Sequence, residues 1–117
     1  MRILITGAAG FIGFNFAQYL LKNSNHQIIG LDNLNNYYSI KVKKNRLKKL
    51  KKYKKLNFIK LDLKDKNKLK KIFKFNFDAV YHFAAQAGVR YSLVNPRAYL
   101  DSNLVGFFNL IENIKKK

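Results

Sequence analysis

The chain has 117 residues and a formal net charge of +18, since 24 Lys and Arg residues stand against only 6 acidic ones. This length allows one domain, and a hydrophobic content of 48% is enough for a folded core, which argues against disorder. The lack of cysteine excludes a disulfide framework and a thiolate metal site, and no apolar run is long enough to span a membrane.

The positive charge is concentrated in one segment, because 17 of the 24 cations lie between Lys41 and Lys74. Such a segment can attract nucleic acid or an anionic membrane. The codon bias of an AT-rich genome also accounts for a chain with 14 Asn and 20 Lys. The lysines surround two otherwise ordinary amphipathic helical patterns. We therefore predict a solvated surface with salt-sensitive adhesion to polyanions, and no specific nucleic-acid or membrane partner.

Strand and helix patterns alternate from the N-terminus. Four short apolar runs predict buried parallel strands: "RILIT" (2–6), "QIIGLD" (27–32), "LNFIKLD" (56–62) and "DAVYHFAA" (78–85). Helical spacing predicts helices from Gly10 to about Lys22, over 39–55, and around Leu69, Ile72 and Phe73. A last helix begins with Asn95 as its cap and Pro96 in its first turn. It carries regularly spaced apolar residues, namely Leu100, Leu104, Phe107, Ile111 and Ile114.

The predicted order βαβαβαβα implies an α/β fold with a doubly wound parallel sheet, right-handed crossovers and helices on both faces. A four-stranded part of such a sheet leaves an edge strand and one helix face uncovered. We therefore expect residues 1–117 to form a single unit that is truncated relative to a complete domain.

The first predicted strand is followed by "GAAGFIG", whose three glycines open the first helix. An apolar stretch after Arg2 is also typical of a secretion signal, but the glycines do not suit the helical core of such a signal. In a phosphate-binding loop, Gly7 allows a tight turn, Gly10 lets backbone amides approach a pyrophosphate, and Gly13 lets the helix pack closely on the strand. A turn that uses its glycines only for packing is the alternative.

An acidic residue, Asp32, ends the second strand 19 residues after Gly13. At this position a carboxylate can accept hydrogen bonds from the adenosine ribose hydroxyls, and it repels a 2′-phosphate. No basic residue follows before Lys41, so the sequence favours NAD over NADP. A loop-capping acid is the alternative for Asp32 taken alone. Together with the glycine loop and the alternating order, Asp32 predicts a dinucleotide site.

The third and fourth strands carry weaker signals. Asp62 and Leu63 follow the third strand, where a side chain and its neighbouring amide could contact adenine, and a cap for the next helix is an equal alternative. His82 lies inside an apolar strand without a nucleophile or metal-ligand partner nearby in the sequence, so we predict a packed strand histidine. We therefore predict no metal site and assign no catalytic role to His82.

Four stretches carry a family resemblance: "TGAAGFIG", "LDNLNNYYS", "DAVYHFAAQAGVRYSLVNP" and "YLDSNLVGFFNLIE". They resemble the N-terminal third of extended short-chain dehydrogenase/reductases, and within these the NAD-dependent sugar-nucleotide epimerases and dehydratases. The stretch "AAQAGVRYSLVNPRAYLDSNLVGF" is most similar to UDP-glucuronate 4-epimerases, which are often associated with capsule synthesis. The fold implied by the resemblance is the N-terminal part of a Rossmann-type doubly wound sheet.

The resemblance also implies NAD as the cofactor and assigns its contacts. The pyrophosphate would bind at Gly7, Gly10, Phe11, Ile12 and Gly13, the ribose at Asp32 and Asn33, and the adenine at Asp62 and Leu63. The nicotinamide side would be lined by Ala84, Ala85 and Gln86 and supported by Asn103. The sugar nucleotide would face Val89, Arg90 and Ser92. For Arg90, a surface residue that neutralises the loop is an equal alternative.

The activity implied by the resemblance is oxidation of a UDP-sugar at C4 by bound NAD, rotation of the ketone and return of the hydride to its other face. This chemistry requires a tyrosine base in Tyr-x-x-x-Lys spacing. Tyr37 and Lys41 have this spacing, but they follow the second strand at the adenosine end, so we interpret the match as chance. The resemblance places the catalytic pair and the sugar-binding domain beyond residue 117, so these residues alone are expected to be inactive.

The full-length protein is expected to be a cytoplasmic, homodimeric enzyme that binds a UDP-sugar. Another sugar-nucleotide epimerase, dehydratase or decarboxylase would share the same cofactor half, so the sugar and the reaction outcome stay open. Outside the enzymes, a nonenzymatic NAD-binding remnant and a basic polyanion-binding module remain as alternatives.

Overall fold

The computed structural model describes residues 1–35, 39–86 and 89–116, and the side chains of Val89 and Arg90 lie outside the described part. Four described strands form one parallel sheet in the order β3-β2-β1-β4: β1 (Arg2–Thr6), β2 (Gln27–Asp32), β3 (Leu56–Lys60) and β4 (Ala79–His82). The first three helices are α1 (Phe11–Asn23), α2 (Ile40–Leu50) and α3 (Lys66–Ile72). After β4 follow α4 (Val89–Val94), α5 (Pro96–Tyr99), a π-helical segment (Leu100–Val105) and α6 (Gly106–Lys115). The predicted α/β class with a parallel sheet is confirmed.

Helices cover both faces of the sheet, as predicted, because successive side chains of a buried parallel strand point to opposite sides. On one face, Ile5 packs with Leu21 of α1 and Leu50 of α2. On the other face, Leu4 packs in a second core cluster that includes Leu110 of α6. Adjacent residues of β1 thus belong to the two separate layers of a doubly wound fold.

Some element ends differ from the prediction. The helix predicted over 39–55 ends at Leu50, because the chain turns there to bring the next strand into the sheet. The Tyr53 N–H donates to the Leu50 carbonyl at 3.1 Å, and Tyr53 packs against the core of that face. β3 and β4 end at Lys60 and His82 rather than at residues 62 and 85.

The region after β4 is more divided than the sequence predicted. The helix cap is as expected: Asn95 Oδ1 accepts a hydrogen bond from the Ala98 N–H at 3.2 Å, with Pro96 in the first turn. Helix α4, which the sequence did not predict, precedes this cap. The π-helical segment then widens the helix locally, so that α6 is rotated relative to the continuation of a regular α-helix.

Helix α6 contacts the core through a partly polar face. Asn109, Leu110 and Asn113 are buried, and Asn109 Nδ2 donates to the Leu63 carbonyl at 2.8 Å. The regularly spaced apolar residues of this region lie beside this buried face and are partly exposed, namely Leu104 (62% exposed), Phe107 (46%), Ile111 (42%) and Ile114 (37%), and the Phe107 ring lies 5.6 Å from the His82 ring of β4. The fold therefore leaves one apolar helix face uncovered, as the sequence predicted for a four-stranded sheet.

The lysine-rich segment is mostly a solvated surface, as predicted. Of its 17 cations, all but Lys43, Arg46 and Lys55 are exposed. Across the described ranges, none of the helices combines the length and the apolar composition that a membrane span requires.

Candidate functional site

A groove opens at the carboxyl ends of the strands, where parallel α/β sheets bind their ligands. Nine of the residues assigned to NAD from the sequence line it: Gly7, Gly10, Asp32, Asn33, Asp62, Leu63, Ala84, Ala85 and Gln86. The structure brings these residues together from the loops after all four strands. Seven further lining residues were not predicted, namely Thr6, Leu31, Asn35, Lys43, Leu61, Phe83 and Ser102.

Gly7 and Gly13 are required by the packing of the turn between β1 and α1. Gly7 has φ +72°, a left-handed conformation that favours glycine, and a Cβ there would lie 2.7 Å from the Ala84 nitrogen. A Cβ at Gly13 would overlap the Gly7 carbonyl oxygen. The geometry therefore agrees with a tight turn at Gly7 and with close helix–strand packing at Gly13.

Gly10 differs from the other two glycines. It lines the groove at the start of α1 with φ −75°, which any residue can adopt. Among the described residues, a Cβ at Gly10 would approach only the Gly7 carbonyl oxygen, at 3.3 Å. The missing side chain therefore keeps space open in the groove rather than relieving backbone strain.

The first turn of α1 can donate hydrogen bonds to an anion. The Phe14 N–H makes the first helical bond, to the Gly10 carbonyl at 2.9 Å, so the preceding amides of Phe11, Ile12 and Gly13 have no intrahelical acceptor. A helix N-terminus of this kind carries partial positive charge and suits a phosphate. The side chains of Phe11 and Ile12 are exposed, so any contribution of these residues comes from their backbone.

Asp32 is held by the backbone on both of its oxygens. The Ala9 N–H donates to Asp32 Oδ2 at 3.0 Å, and the Leu34 N–H donates to Oδ1 at 2.8 Å. Leu34 itself has φ +55°, so the second bond stabilises a left-handed turn. The carboxylate therefore caps the loops after β1 and β2 and also lines the groove. Its assignment to the ribose stays a prediction.

Asp62 lies beside Asn33 at the end of the groove nearest β3. Asp62 Oδ1 accepts from the Lys64 N–H at 3.1 Å, and its Oδ2 lies 3.4 Å from Asn33 Nδ2. The cap of α3 is a different residue, Asp65, whose Oδ1 accepts from the Lys68 N–H at 3.2 Å. Asp62 is therefore not the helix cap, and it faces the groove.

The other end of the groove is shaped by Thr6 and His82. The Thr6 Oγ1 accepts hydrogen bonds from the Phe83 and Ala84 N–H groups, both at 3.1 Å, which turns the chain out of the sheet after β4. The hydroxyl proton is then free to bond His82 Nδ1, 2.7 Å away, which requires a neutral imidazole with its proton on Nε2. His82 is thus a half-buried, hydrogen-bonded strand residue, as predicted.

This arrangement predicts a pH-dependent stability. Burial lowers the pKa of His82 from its ordinary 6.5, so below pH 6.5 the unfolded chain binds the proton more readily than the folded one. The free energy of unfolding should therefore fall as the pH drops from 6.5 to below the folded-state pKa of His82. Urea unfolding between pH 5 and pH 7.5 measures this. His82→Asn should flatten the fall, and an unchanged profile in that variant would contradict the assignment.

Gln86 is clamped in place by Asn103 from the π-helical segment. The Gln86 N–H donates to Asn103 Oδ1 at 2.8 Å, and Asn103 Nδ2 donates to the Gln86 carbonyl at 3.0 Å. Asn103 is not among the groove residues, whereas its neighbour Ser102 is. The asparagine therefore supports the wall of the groove from behind.

The residues proposed to face a sugar nucleotide are only partly described. Val89 and Arg90 begin α4, and their side chains lie outside the described residues, as does Tyr37 of the chance Tyr-x-x-x-Lys match. Ser92 is half-buried in α4 and does not line the groove.

The sequence interpretation was wrong about one cation. Lys43 was counted with the exposed lysines of α2, yet its side chain is only 6% exposed and lines the groove. The signal was present in the sequence, because Lys43 precedes Leu47 and Leu50 by four and seven residues on the buried face of α2. Because lysines recur along the whole helix, Lys43 does not stand out among them in the sequence.

A parallel sheet with a glycine turn after β1, an acid at the end of β2 and a groove at the strand ends defines a Rossmann-type dinucleotide-binding fold. A family model described as GDP-mannose 4,6 dehydratase matches residues 4–117. The chain therefore belongs to this family, within the extended short-chain dehydrogenase/reductases that include sugar-nucleotide epimerases and dehydratases, as the resemblance implied.

Two relatives match this chain over nearly its whole length. Protein CapI of Staphylococcus aureus is 49% identical over 113 residues, which are 96% of this chain and 33% of the relative. UDP-glucuronate 4-epimerase of Thermodesulfobacterium geofontis is 45% identical over 113 residues, or 96% of this chain and 35% of the relative.

A crystal structure shows the same fold. UDP-glucuronic acid 4-epimerase from Bacillus cereus, in complex with UDP-glucuronic acid and NAD, matches 98% of this chain and 36% of that chain, with a TM-score of 0.90 and 35% identity. The chain thus spans about a third of the length of the relatives it matches.

Proposed function

We propose that this chain binds NAD and forms the cofactor-binding part of a UDP-glucuronate 4-epimerase. The observation that carries the proposal is the groove, which is lined by the open position of Gly10 at the start of α1 and by the Asp32 carboxylate, whereas Phe11, Ile12 and Gly13 are not among its lining residues. A pyrophosphate fits the first feature, beside the amides that begin α1, and a ribose fits the second. The substrate class is supported by the 45% identity to a UDP-glucuronate 4-epimerase.

We assign the parts of a dinucleotide to successive groups of groove residues. The loop after β1 would hold the pyrophosphate, Asp32 and Asn33 the ribose, and Asp62 with Leu63 the adenine. The segment after β4 would line the nicotinamide side with Ala84, Ala85 and Gln86. Because Asn103 clamps the Gln86 backbone, this wall is preorganised.

When bound, NAD would supply the hydride acceptor and donor for reaction at sugar C4, while this chain binds and orients it. We propose that the Tyr-x-x-x-Lys pair and the sugar-binding domain lie outside these 117 residues, since the relatives are about three times longer. The chain alone should then form no 4-epimer from UDP-glucuronic acid. The uncovered apolar face of α6 supports coverage by a further part of the protein or by a second copy in a homodimer.

A second candidate is a sugar-nucleotide dehydratase, because the matching family model is named for GDP-mannose 4,6 dehydratase. The groove described above would serve either reaction. A cytoplasmic location is part of the same proposal.

Isothermal titration of the chain with NAD tests the proposal. Asp32→Asn should weaken NAD binding about tenfold or more, because a charged hydrogen-bond acceptor contributes roughly 1.5–3 kcal/mol. Asp65→Asn is the matched control, as it makes the same chemical change at the α3 cap, away from the groove. Its NAD affinity should stay within about twofold of the unmodified chain.

A salt titration of DNA binding separates the basic surface from the groove. We expect DNA binding to weaken steeply with salt. Tight, salt-resistant DNA binding by a chain that does not bind NAD would overturn the proposed function.

A further inference from the structure

Lys43 differs from the other lysines of α2 because it is buried and lines the groove. It lies in the second turn of α2 with 6% of its surface exposed, whereas the next residue, Lys44, is exposed. Its Nζ donates to the Asn35 backbone carbonyl at 3.1 Å and to Asn35 Oδ1 at 2.9 Å. These bonds direct the ammonium toward the loop after β2, and Lys43 lines the same groove as Asp32.

The charges around this end of the groove form a small cluster. Burial lowers the pKa of Lys43 from its ordinary 10.5, the Asp32 carboxylate acts in the opposite direction, and Arg46 lowers it further. The two oxygens of Asn35 favour the charged ammonium by accepting its hydrogen bonds. Arg46 itself donates from Nη1 to the Ala9 carbonyl at 3.0 Å, so α2 presents two cations to the loops that shape the groove.

Asp32 and Lys43 have opposite effects on an anion at the ribose. Because Ala9 and Leu34 hold both Asp32 oxygens, the carboxylate cannot turn away from the groove without losing two hydrogen bonds. A 2′-phosphate bound beside Asp32 would meet its negative charge and, in the same space, the field of Lys43. The prediction of NAD rested on this acid and on the absence of a basic residue before Lys41, and it did not take Lys43 into account.

We propose that Lys43 is a specificity-determining residue of the dinucleotide site, whose ammonium attracts a 2′-phosphate and offsets part of the discrimination that Asp32 makes against NADP. The proposal rests on the proposed function, because it requires that the groove binds a dinucleotide. It makes the choice between NAD and NADP a property of an Asp–Lys pair rather than of one carboxylate.

The test compares dissociation constants for NAD and NADP in the chain and its variants by isothermal titration. Lys43→Met keeps the aliphatic stem and removes the charge, and Lys43→Gln is a second neutral variant that can still bond Asn35. In each, the ratio of the NADP to the NAD dissociation constant should rise roughly tenfold, the scale of one hydrogen bond to a charged group. Lys43→Arg keeps the charge, and its ratio should stay within about twofold of the unmodified chain.

Lys44→Met is the matched control, since it removes an exposed lysine one position along the same helix. Its ratio should not change, which separates a local effect from loss of overall positive charge. Circular dichroism shows which of the two neutral variants retain the fold. The dissociation constants of either folded variant then test the role of Lys43. An unchanged ratio in a folded neutral variant, while the unmodified chain binds NAD, overturns the role of Lys43 alone. Failure of the unmodified chain to bind either dinucleotide overturns the proposed function and this inference with it.

Discussion

Gly13→Ala should destabilise the chain by about 2–4 kcal/mol, more than its helix propensity can explain. Alanine is the better helix former, by about 1 kcal/mol, so propensity alone predicts a gain in stability. The added Cβ would overlap the Gly7 carbonyl oxygen and lie 3.3 Å from the Ala8 Cα, and both are backbone atoms of a buried turn. The sign of the change therefore distinguishes steric packing from propensity.

Urea unfolding followed by circular dichroism measures this effect. Gly10→Ala is the matched control, because it adds the same methyl group three residues earlier, where a Cβ meets only one described atom within 4 Å. We expect its free energy of unfolding to change by less than about 1 kcal/mol. Equal stability of Gly13→Ala and the unmodified chain would show that the start of α1 does not pack closely on the turn after β1.

Gly10→Leu should abolish measurable NAD binding while the fold is kept, with an affinity loss of about a hundredfold or more. The backbone at Gly10 has φ −75° and ψ 170°, which leucine adopts, and the one close contact of its Cβ would be the Gly7 carbonyl oxygen at 3.3 Å, so the fold is kept at a modest cost. A leucine side chain would occupy the space beside the first amides of α1 and prevent a pyrophosphate from reaching them. Calorimetric titration with NAD and a thermal melt measure the two effects separately.

Lys22→Leu is the control for the Gly10 variant, because it places a leucine on the exposed last turn of the same helix. Its NAD affinity should be unchanged. If Gly10→Leu binds NAD as tightly as the unmodified chain, the pyrophosphate is not held by this loop, whatever else the groove binds.

The sequence predicted those features that depend on local patterns. An apolar run such as residues 2–6 forms a buried strand when helices cover both faces of its sheet. The alternating order of strands and helices supplies those helices. The Asn95 cap and the glycine turn were predictable for a similar reason, since they depend on the chemistry of a few adjacent residues. The family resemblance assigned these separate patterns to one dinucleotide site.

Short-range patterns did not predict every residue of the groove. Nine of the residues assigned from the sequence line the groove. Lys43 of α2 and Ser102 of the π-helical segment also line it, and these two were not predicted. The positions of these two side chains depend on how far each helix is rotated about its axis. A single π turn changes that rotation for the helical residues that follow it. Packing against the sheet decides such rotations.

By itself, the sequence determined the alternating α/β order, the glycine loop after the first strand and the acid that ends the second, because short-range patterns and spacing specify them. Only the tertiary structure decided that Asp32 is held on both oxygens and shares the groove with a buried lysine. It also decided which face of α6 packs on the core, through Asn109 and Leu110, whereas the sequence had predicted only that some helix face would stay uncovered. These features arise from contacts between residues that are distant in the chain, where the packing of whole layers outweighs any local preference.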